Sequence, residues 1–81
     1  MTWVYLRRSL TDPDCVYVGL TEDLEQRLAQ HNSPTGEGYT AKYRPWKVEV
    51  AVRFSSRLKA KAFERYLKSG SGHAFAKRHF G

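Results

Sequence analysis

Apolar and polar positions alternate in three short segments of the chain, and this period of two predicts three β-strands. The segments cover residues 2–8, 15–19 and 47–54. Residues 11–14 (Thr-Asp-Pro-Asp) separate the first two segments and have turn chemistry, because Asp side chains bond the local backbone and Pro fixes φ. The first two strands are therefore predicted to form an antiparallel hairpin.

Helical spacing of apolar residues predicts three helices in the remaining sequence. They are predicted at residues 21–31, 56–69 and 73–79. Thr21 is the candidate N-cap of the first helix, and Ser55 or Ser56 is that of the second. The order β-β-α-β-α-α predicts one α+β domain over residues 1–81, with helices packed against a three-stranded, mainly antiparallel sheet.

Two tyrosines are predicted on the same face of the hairpin. Side chains alternate along a strand, so Val4 and Leu6 form the core face of the first strand and Tyr5 lies on the other. Tyr17 lies on that other face in the second strand, beside Gly19, which leaves room for an approaching group. The alternative is that the tyrosines are a cross-strand pair that only stabilises the sheet.

The first helix carries two chemically useful side chains on one side. Arg27 and His31 are four residues apart, and Leu24 and Leu28 supply the apolar stripe beside them. Both polar side chains are therefore predicted to face the sheet or the cleft next to it. Arginine binds phosphate with two donors, and histidine exchanges a proton near neutral pH. The alternatives are a solvated arginine and a hydrogen-bonded core histidine.

Glu64 is the one carboxylate predicted on the apolar face of the second helix, between Ala60 and Leu67. A buried carboxylate is costly unless a cation or hydrogen-bond donors hold it. One interpretation is a surface ion pair with Lys68, four residues later. The other is a metal site, because Mg²⁺ is often held by one or two carboxylates together with water and substrate phosphate.

The charge balance favours a polyanionic partner. Fourteen Lys and Arg residues against eight Asp and Glu residues give a net charge of +6 in 81 residues. Nucleic acid, and DNA first, is the expected partner, although a merely basic domain is the alternative. The long loop at residues 33–46 mixes basic and aromatic residues, as backbone contact and base stacking require. The candidate nucleic-acid contacts are Gly19, Tyr39, Thr40, Lys42, Tyr43 and Arg44.

Cysteine usage and hydropathy indicate the setting. Cys15 is the only cysteine, so no intrachain disulfide forms, and a reducing, intracellular and cytoplasmic setting is expected. No apolar stretch approaches the roughly 20 residues that span a bilayer, so no membrane partner is expected.

These residues, in this order, resemble the GIY-YIG nuclease superfamily over roughly residues 3–76. Residues 3–5 (Trp-Val-Tyr) stand where that family has Gly-Ile-Tyr, and residues 17–19 (Tyr-Val-Gly) stand where it has Tyr-Ile-Gly. Three single residues match as well: Arg27, His31 and Glu64. The resemblance implies a metal-dependent endonuclease that hydrolyses DNA phosphodiester bonds.

The resemblance also implies roles for these residues. Glu64 would hold a single Mg²⁺ or Mn²⁺ ion, and Arg27 would neutralise charge on the reacting phosphate. Tyr5, helped by Tyr17 or His31, would take the proton of an attacking water. Which of these three groups is the base stays open.

Two departures from the family pattern keep other functions in view. The first tripeptide lacks the Gly and Ile, and the Asn that often follows the glutamate helix is absent, since Asn32 is the only asparagine. A nucleic-acid-binding module with weakened catalysis is therefore the alternative, and a subunit of a DNA repair complex is a further one. Substrate choice is expected to follow DNA structure or a protein partner rather than sequence, and a homodimer is one possible partner.

Overall fold

The computed structural model describes residues 1–33 and 42–80. The elements are β1 (Thr2–Ser9), β2 (Val16–Thr21), α1 (Leu24–His31), β3 (Trp46–Phe54), α2 (Arg57–Lys68) and α3 (Gly70–Phe80). Their order and the α+β class confirm the prediction. No helix in these two ranges is long and apolar enough to cross a membrane.

The three strands form one antiparallel sheet in the order β2-β1-β3. Across the β1–β2 pair, Tyr5 lies opposite Gly19 and Arg7 lies opposite Tyr17. The two tyrosines therefore share a face, as predicted, but they are diagonal neighbours and not a directly opposed pair. The register between β1 and β3 shifts between Leu6 and Arg7.

The core lies on the other face of the sheet, under α2 and α3. Val4 and Leu6 of β1 pack there with Ala60 and Leu67 of α2, and all four residues are buried. Partly buried apolar residues surround them: Val16, Val18, Leu20, Val50, Phe54, Phe63, Phe75, Ala76 and Phe80. The predicted aliphatic face of the hairpin is confirmed, and it leaves the Tyr5 face for α1.

The start of α1 differs from the prediction. Asp23 is the N-cap, and its side chain accepts a hydrogen bond from the Gln26 N–H at 3.1 Å. Thr21 belongs to β2, where it pairs with Trp3, and its hydroxyl accepts from the Asp23 N–H at 3.1 Å. Thr21 is therefore not the cap, because the sheet ladder continues two residues past Gly19.

The α2–α3 junction also corrects the sequence interpretation. Ser56 caps α2 by accepting from the Lys59 N–H at 3.2 Å. The final helix begins at Gly70 rather than at residue 73, because the Ser69 hydroxyl accepts from the Gly72 N–H at 3.2 Å. Gly72 lies inside this helix, before the predicted start. A Cβ there would stand 1.7 Å from the Tyr66 carbonyl oxygen, so the two helix backbones touch.

Candidate active site

The centre of the candidate site is a contact between Tyr5 and His31. Tyr5 is buried in β1 with 3% of its surface exposed. Its hydroxyl oxygen lies 3.0 Å from Nε2 of His31, which is a hydrogen bond between the first strand and the end of α1. The structure thus brings together two residues that are 26 positions apart in the chain.

Asn32 fixes the end of α1 that carries His31. Its side-chain nitrogen donates to the Trp46 carbonyl at 3.0 Å, and its Oδ1 accepts from the Trp46 N–H at 2.5 Å. Through these two hydrogen bonds the Asn32 side chain pairs with the backbone of the first residue of β3, as a neighbouring strand would. Asn32 directly follows the helix predicted at residues 21–31. Its partner lies 14 residues away, so no local signal identifies this contact.

Arg7 is a site residue that sequence analysis missed. Its Nη1 donates to the imidazole ring of His31. Its guanidinium carbon lies 4.4 Å from the ring centre of Trp46 and 5.5 Å from that of Tyr17. The available signal was its position two residues after Tyr5, which places it on the same face of β1.

Gly19 stands directly beneath the Tyr5 ring. A Cβ at position 19 would lie 2.4 Å from both Cζ and the hydroxyl oxygen of Tyr5. The space predicted beside Gly19 is therefore filled by the candidate catalytic phenol of this same chain. Tyr17, two residues earlier, is 36% exposed, and its ring meets Trp46 at a centroid distance of 5.7 Å.

Glu64 on α2 and Arg27 on α1 both act on the Tyr5 phenol through their charges. The Glu64 side chain is 23% exposed, and its Oε2 lies 3.4 Å from Nζ of Lys68. The ion pair considered from sequence is thus present, at a carboxylate that is mostly buried. Arg27 is exposed. Glu64 acts to raise the pKa of Tyr5 and Arg27 acts to lower it, so both charges influence this phenol.

Burial sets the protonation state of the two central groups. It raises the pKa of Tyr5 above 10, while Arg7 and Arg27 act in the opposite direction. Burial, followed by the charges of Arg7 and Arg27, lowers the pKa of His31 from 6.5 to about 4. At neutral pH the phenol is protonated and the imidazole is neutral. A neutral imidazole has one nitrogen that donates a hydrogen bond and one that accepts, so the two ring nitrogens of His31 have different hydrogen-bonding roles.

The residues present fit a divalent ion held mainly by water and substrate. Among residues 1–33 and 42–80, no group of three or more His, Cys, Asp or Glu side chains converges on one point. Glu64 offers hard carboxylate oxygens, the ligand type that Mg²⁺ and Mn²⁺ prefer. Its partner Lys68 is 57% exposed, and such an ion pair is worth little to stability, so a cation can replace it.

Three of the five predicted loop contacts belong to the described residues. The five are Tyr39, Thr40, Lys42, Tyr43 and Arg44, of which Tyr39 and Thr40 lie outside the described residues. Lys42 is exposed, and its Nζ lies 5.5 Å from the ring centre of Tyr43. Tyr43 meets Trp46 edge to face, and the Arg44 guanidinium donates to the Ser33 carbonyl. Lys42 is thus a solvent-facing cation here, whereas Arg44 bonds to the backbone after α1.

Curated proteins with known names match most of this chain. Structure-specific endonuclease subunit SLX1 of Malassezia globosa is 44% identical over 63 residues, which are 74% of this chain and 14% of that protein. The protein of the same name from Candida dubliniensis is 39% identical over 82 aligned residues, 94% of this chain and 27% of that protein. A UPF0213 protein of Lactococcus lactis subsp. cremoris is 42% identical over 53 residues, 65% of this chain and 54% of that protein.

The chain spans only a small part of the two SLX1 relatives and about half of the UPF0213 relative. The family described as GIY-YIG catalytic domain matches residues 1–78, which is nearly the whole chain. The match includes both tyrosine motifs, the α1 pair and the α2 glutamate. This chain belongs to the GIY-YIG family.

Proposed function

We propose that this chain is a divalent-metal-dependent endonuclease that hydrolyses DNA phosphodiester bonds. Family membership supports a nuclease, and the names of the SLX1 relatives support a structure-specific endonuclease. The observation that carries the proposal is the hydrogen bond between Tyr5 and His31, at a phenol whose pKa responds to both Arg27 and Glu64. The charges of a candidate phosphate-binding arginine and of a carboxylate thus both act on the phenol that is hydrogen-bonded to His31.

In this proposal Tyr5 is the group that accepts the proton of the attacking water. It does so as the phenolate, which burial disfavours and the positive charges of Arg7 and Arg27 favour. His31, neutral at neutral pH, shares a hydrogen bond with the phenol oxygen and holds its position. Cleavage is therefore expected to become faster as the pH rises toward the Tyr5 pKa.

Arg27 and Tyr17 would bind the DNA backbone next to the reacting phosphate. Arg27 is exposed, and a guanidinium forms two parallel hydrogen bonds to phosphate oxygens. Its charge would also balance the negative charge that develops during attack. Tyr17 is exposed on the same face of the sheet and would contact the sugar-phosphate chain.

Glu64 would hold the divalent ion, which would replace Lys68 as the partner of its carboxylate. Such an ion, when bound, supplies Lewis-acid stabilisation of the leaving oxygen. One carboxylate leaves the remaining ligand positions for water and DNA, so ion binding and substrate binding would strengthen each other.

The surface charge supports a DNA substrate chosen by shape. The net charge of +6 gives long-range attraction to phosphate, which depends on salt and not on sequence. Lys42 adds an exposed cation near Trp46, at the edge of the site. We therefore propose branched or otherwise distorted DNA as the substrate, with a protein partner or a second copy of the chain directing the choice.

Cleavage assays with a matched pair of glutamate variants test this function. Glu64→Gln should lose at least about 10²-fold in cleavage rate and keep its DNA affinity. Glu49→Gln is the control, because its side chain is 25% exposed and ion-paired with Lys47 at 3.3 Å. It should cleave at the wild-type rate.

The assay uses single-stranded, duplex and branched DNA with Mg²⁺ or Mn²⁺ added in turn. A wild-type protein that cuts none of these with either ion contradicts the proposal. Salt-sensitive DNA binding that ignores both the ions and Glu64→Gln would instead indicate a binding module. Equal cleavage by the Glu64→Gln and Glu49→Gln variants would remove Glu64 from the mechanism.

A further inference from the structure

Arg7 occupies an unusual position for a charged residue in a central strand. Its guanidinium carbon lies beside the rings of Tyr17 and Trp46, at 5.5 and 4.4 Å from their centres. Its Nε is buried and has no hydrogen-bond partner among the described residues. A partly desolvated cation is costly unless neighbouring groups compensate it. The two aromatic faces supply part of this compensation through cation–π attraction.

His31 and Tyr5 add further compensation: burial lowers the pKa of Arg7, and Tyr5 acts to raise it. Nη1 of Arg7 lies within hydrogen-bond reach of both Nδ1 and Nε2 of His31, and Nε2 also lies 3.0 Å from the Tyr5 hydroxyl oxygen. A guanidinium has donors only, so the ring nitrogen that it contacts must be an acceptor and carry no hydrogen. The contact is therefore incompatible with a doubly protonated imidazole.

We infer that Arg7 is a positioning residue, which donates to Nδ1 of His31 and thereby directs the Nε2 hydrogen of that ring to the Tyr5 oxygen. This role deepens the proposed nuclease function and rests on it. His31 in this tautomer stabilises the Tyr5 phenolate with a hydrogen bond. Without Arg7 the other tautomer becomes available, in which Nε2 only accepts.

The charge of Arg7 favours the same protonation states of Tyr5 and His31 as its hydrogen bond does. It favours the ionised form of Tyr5, and it disfavours the protonated form of His31 by lowering its pKa. The charged and titratable groups that act on this pair are Arg7 on β1, Tyr17 on β2, Arg27 on α1 and Glu64 on α2. Of these four groups, Arg7 is hydrogen-bonded to the His31 ring.

Direct binding of DNA phosphate is a less suitable role for Arg7. Its guanidinium faces two rings, Nη1 is engaged with His31, and Nε is shielded from solvent. Arg27, which is exposed, is the better placed arginine for phosphate. Arg7 therefore acts through Tyr5 and His31 and not on the substrate.

Nitrogen NMR of the His31 ring tests the inference without DNA. In the wild-type protein we expect a neutral ring with hydrogen on Nε2, titrating near pH 4. Arg7→Met keeps an apolar stem beside the two rings and removes the charge and the donors. In this variant the titration should move toward pH 6.5 and the Nδ1–H tautomer should appear. A wild-type ring with hydrogen on Nδ1 overturns the inference, whether or not the variant folds.

Arg8→Met is the matched control. Arg8 is the next residue of β1, points to the opposite face, and pairs with Glu49 at 3.7 Å. The Arg8→Met substitution removes the same charge and should leave the His31 titration and tautomer unchanged. A His31 titration in Arg7→Met that equals that of wild type and Arg8→Met also overturns the inference.

Kinetics separate positioning from substrate binding. Arg7→Met should lower kcat about tenfold or more at neutral pH and move the rising limb of the pH profile to higher pH, with KM nearly unchanged. A raised KM with unchanged kcat would make Arg7 a substrate ligand and overturn the inference. If the wild-type protein cleaves no DNA, the proposed function fails, whereas the NMR result still decides the Arg7–His31 contact.

Discussion

Gly19 and Tyr5 face each other across the β1–β2 pair, and the Tyr5 ring lies where a side chain at position 19 would stand. A Cβ there would be 2.4 Å from the phenol oxygen and from Cζ. The glycine that ends the Tyr17-Val18-Gly19 motif is therefore required for the position of Tyr5. The two tripeptide motifs are coupled through this contact, and the hydroxyl of Tyr5 reaches His31 as a result.

Gly19→Ala should displace the Tyr5 ring and weaken the site. We expect a loss of about 1–3 kcal/mol in unfolding free energy, as for other overpacked positions. The cleavage rate should fall by more than this loss of stability explains, because the Tyr5–His31 hydrogen bond is broken. Urea unfolding and single-turnover cleavage are the two measurements.

Gly70→Ala is the control for that substitution. A Cβ at position 70 meets no atom within 4 Å, and alanine suits a helix better than glycine. Its stability should be unchanged or slightly higher, with cleavage at the wild-type rate. If Gly19→Ala behaves like Gly70→Ala, the close packing of Tyr5 on Gly19 is not needed for the site.

Stability should depend on pH through His31. Its pKa is about 4 in the folded protein and about 6.5 in the unfolded chain, so the unfolded chain binds the extra proton between these values. The contribution of neutral His31 to the unfolding free energy is fully present above pH 6.5 and is lost as the pH falls toward 4. Because the ring is partly solvated, we expect a loss of about 1 kcal/mol.

His31→Gln should remove this part of the pH dependence. Urea unfolding at several pH values between 4 and 7 measures the slope, and His73→Gln on the exposed side of α3 is the control. The His73→Gln protein should retain the wild-type slope. An identical slope in wild type and His31→Gln would contradict the burial of a neutral imidazole beside Arg7.

Ser56→Ala should destabilise the helix that carries Glu64. Its hydroxyl accepts from the Lys59 N–H, and loss of such a cap costs about 1 kcal/mol. Ser55→Ala, one residue earlier and exposed, should cost much less. Thermal unfolding of the two variants compares them directly. Equal effects would mean that the cap contributes nothing measurable.

The strands could be predicted from sequence because one face of each is apolar. Val4, Leu6 and Val18 mark the core face clearly, and this alternation also placed Tyr5 and Tyr17 together. The ends of elements could not be predicted equally well. Thr21 and Asp23 are both good caps, and only the pairing of Thr21 with Trp3 decides between them.

Residues whose role depends on distant partners escaped the sequence interpretation. Arg7 was not predicted as a site residue, because Trp46 and His31 come from segments far along the chain. The final helix was predicted to begin at residue 73, because the contact of Gly72 with the backbone of Tyr66 is tertiary and gives no local signal. Local pattern therefore predicted which residues share one face of a strand or helix better than it predicted contacts between distant segments.

Single-turnover cleavage by Tyr5→Phe is the decisive test of Tyr5 as the proton acceptor, with Tyr66→Phe as the control. Tyr66 lies on α2, is 42% exposed and loses the same hydroxyl. Removing a group that accepts the water proton should slow cleavage about 10²–10⁴-fold at unchanged DNA affinity. The account predicts this loss for Tyr5→Phe and the wild-type rate for Tyr66→Phe. Cleavage by Tyr5→Phe at the wild-type rate would contradict it.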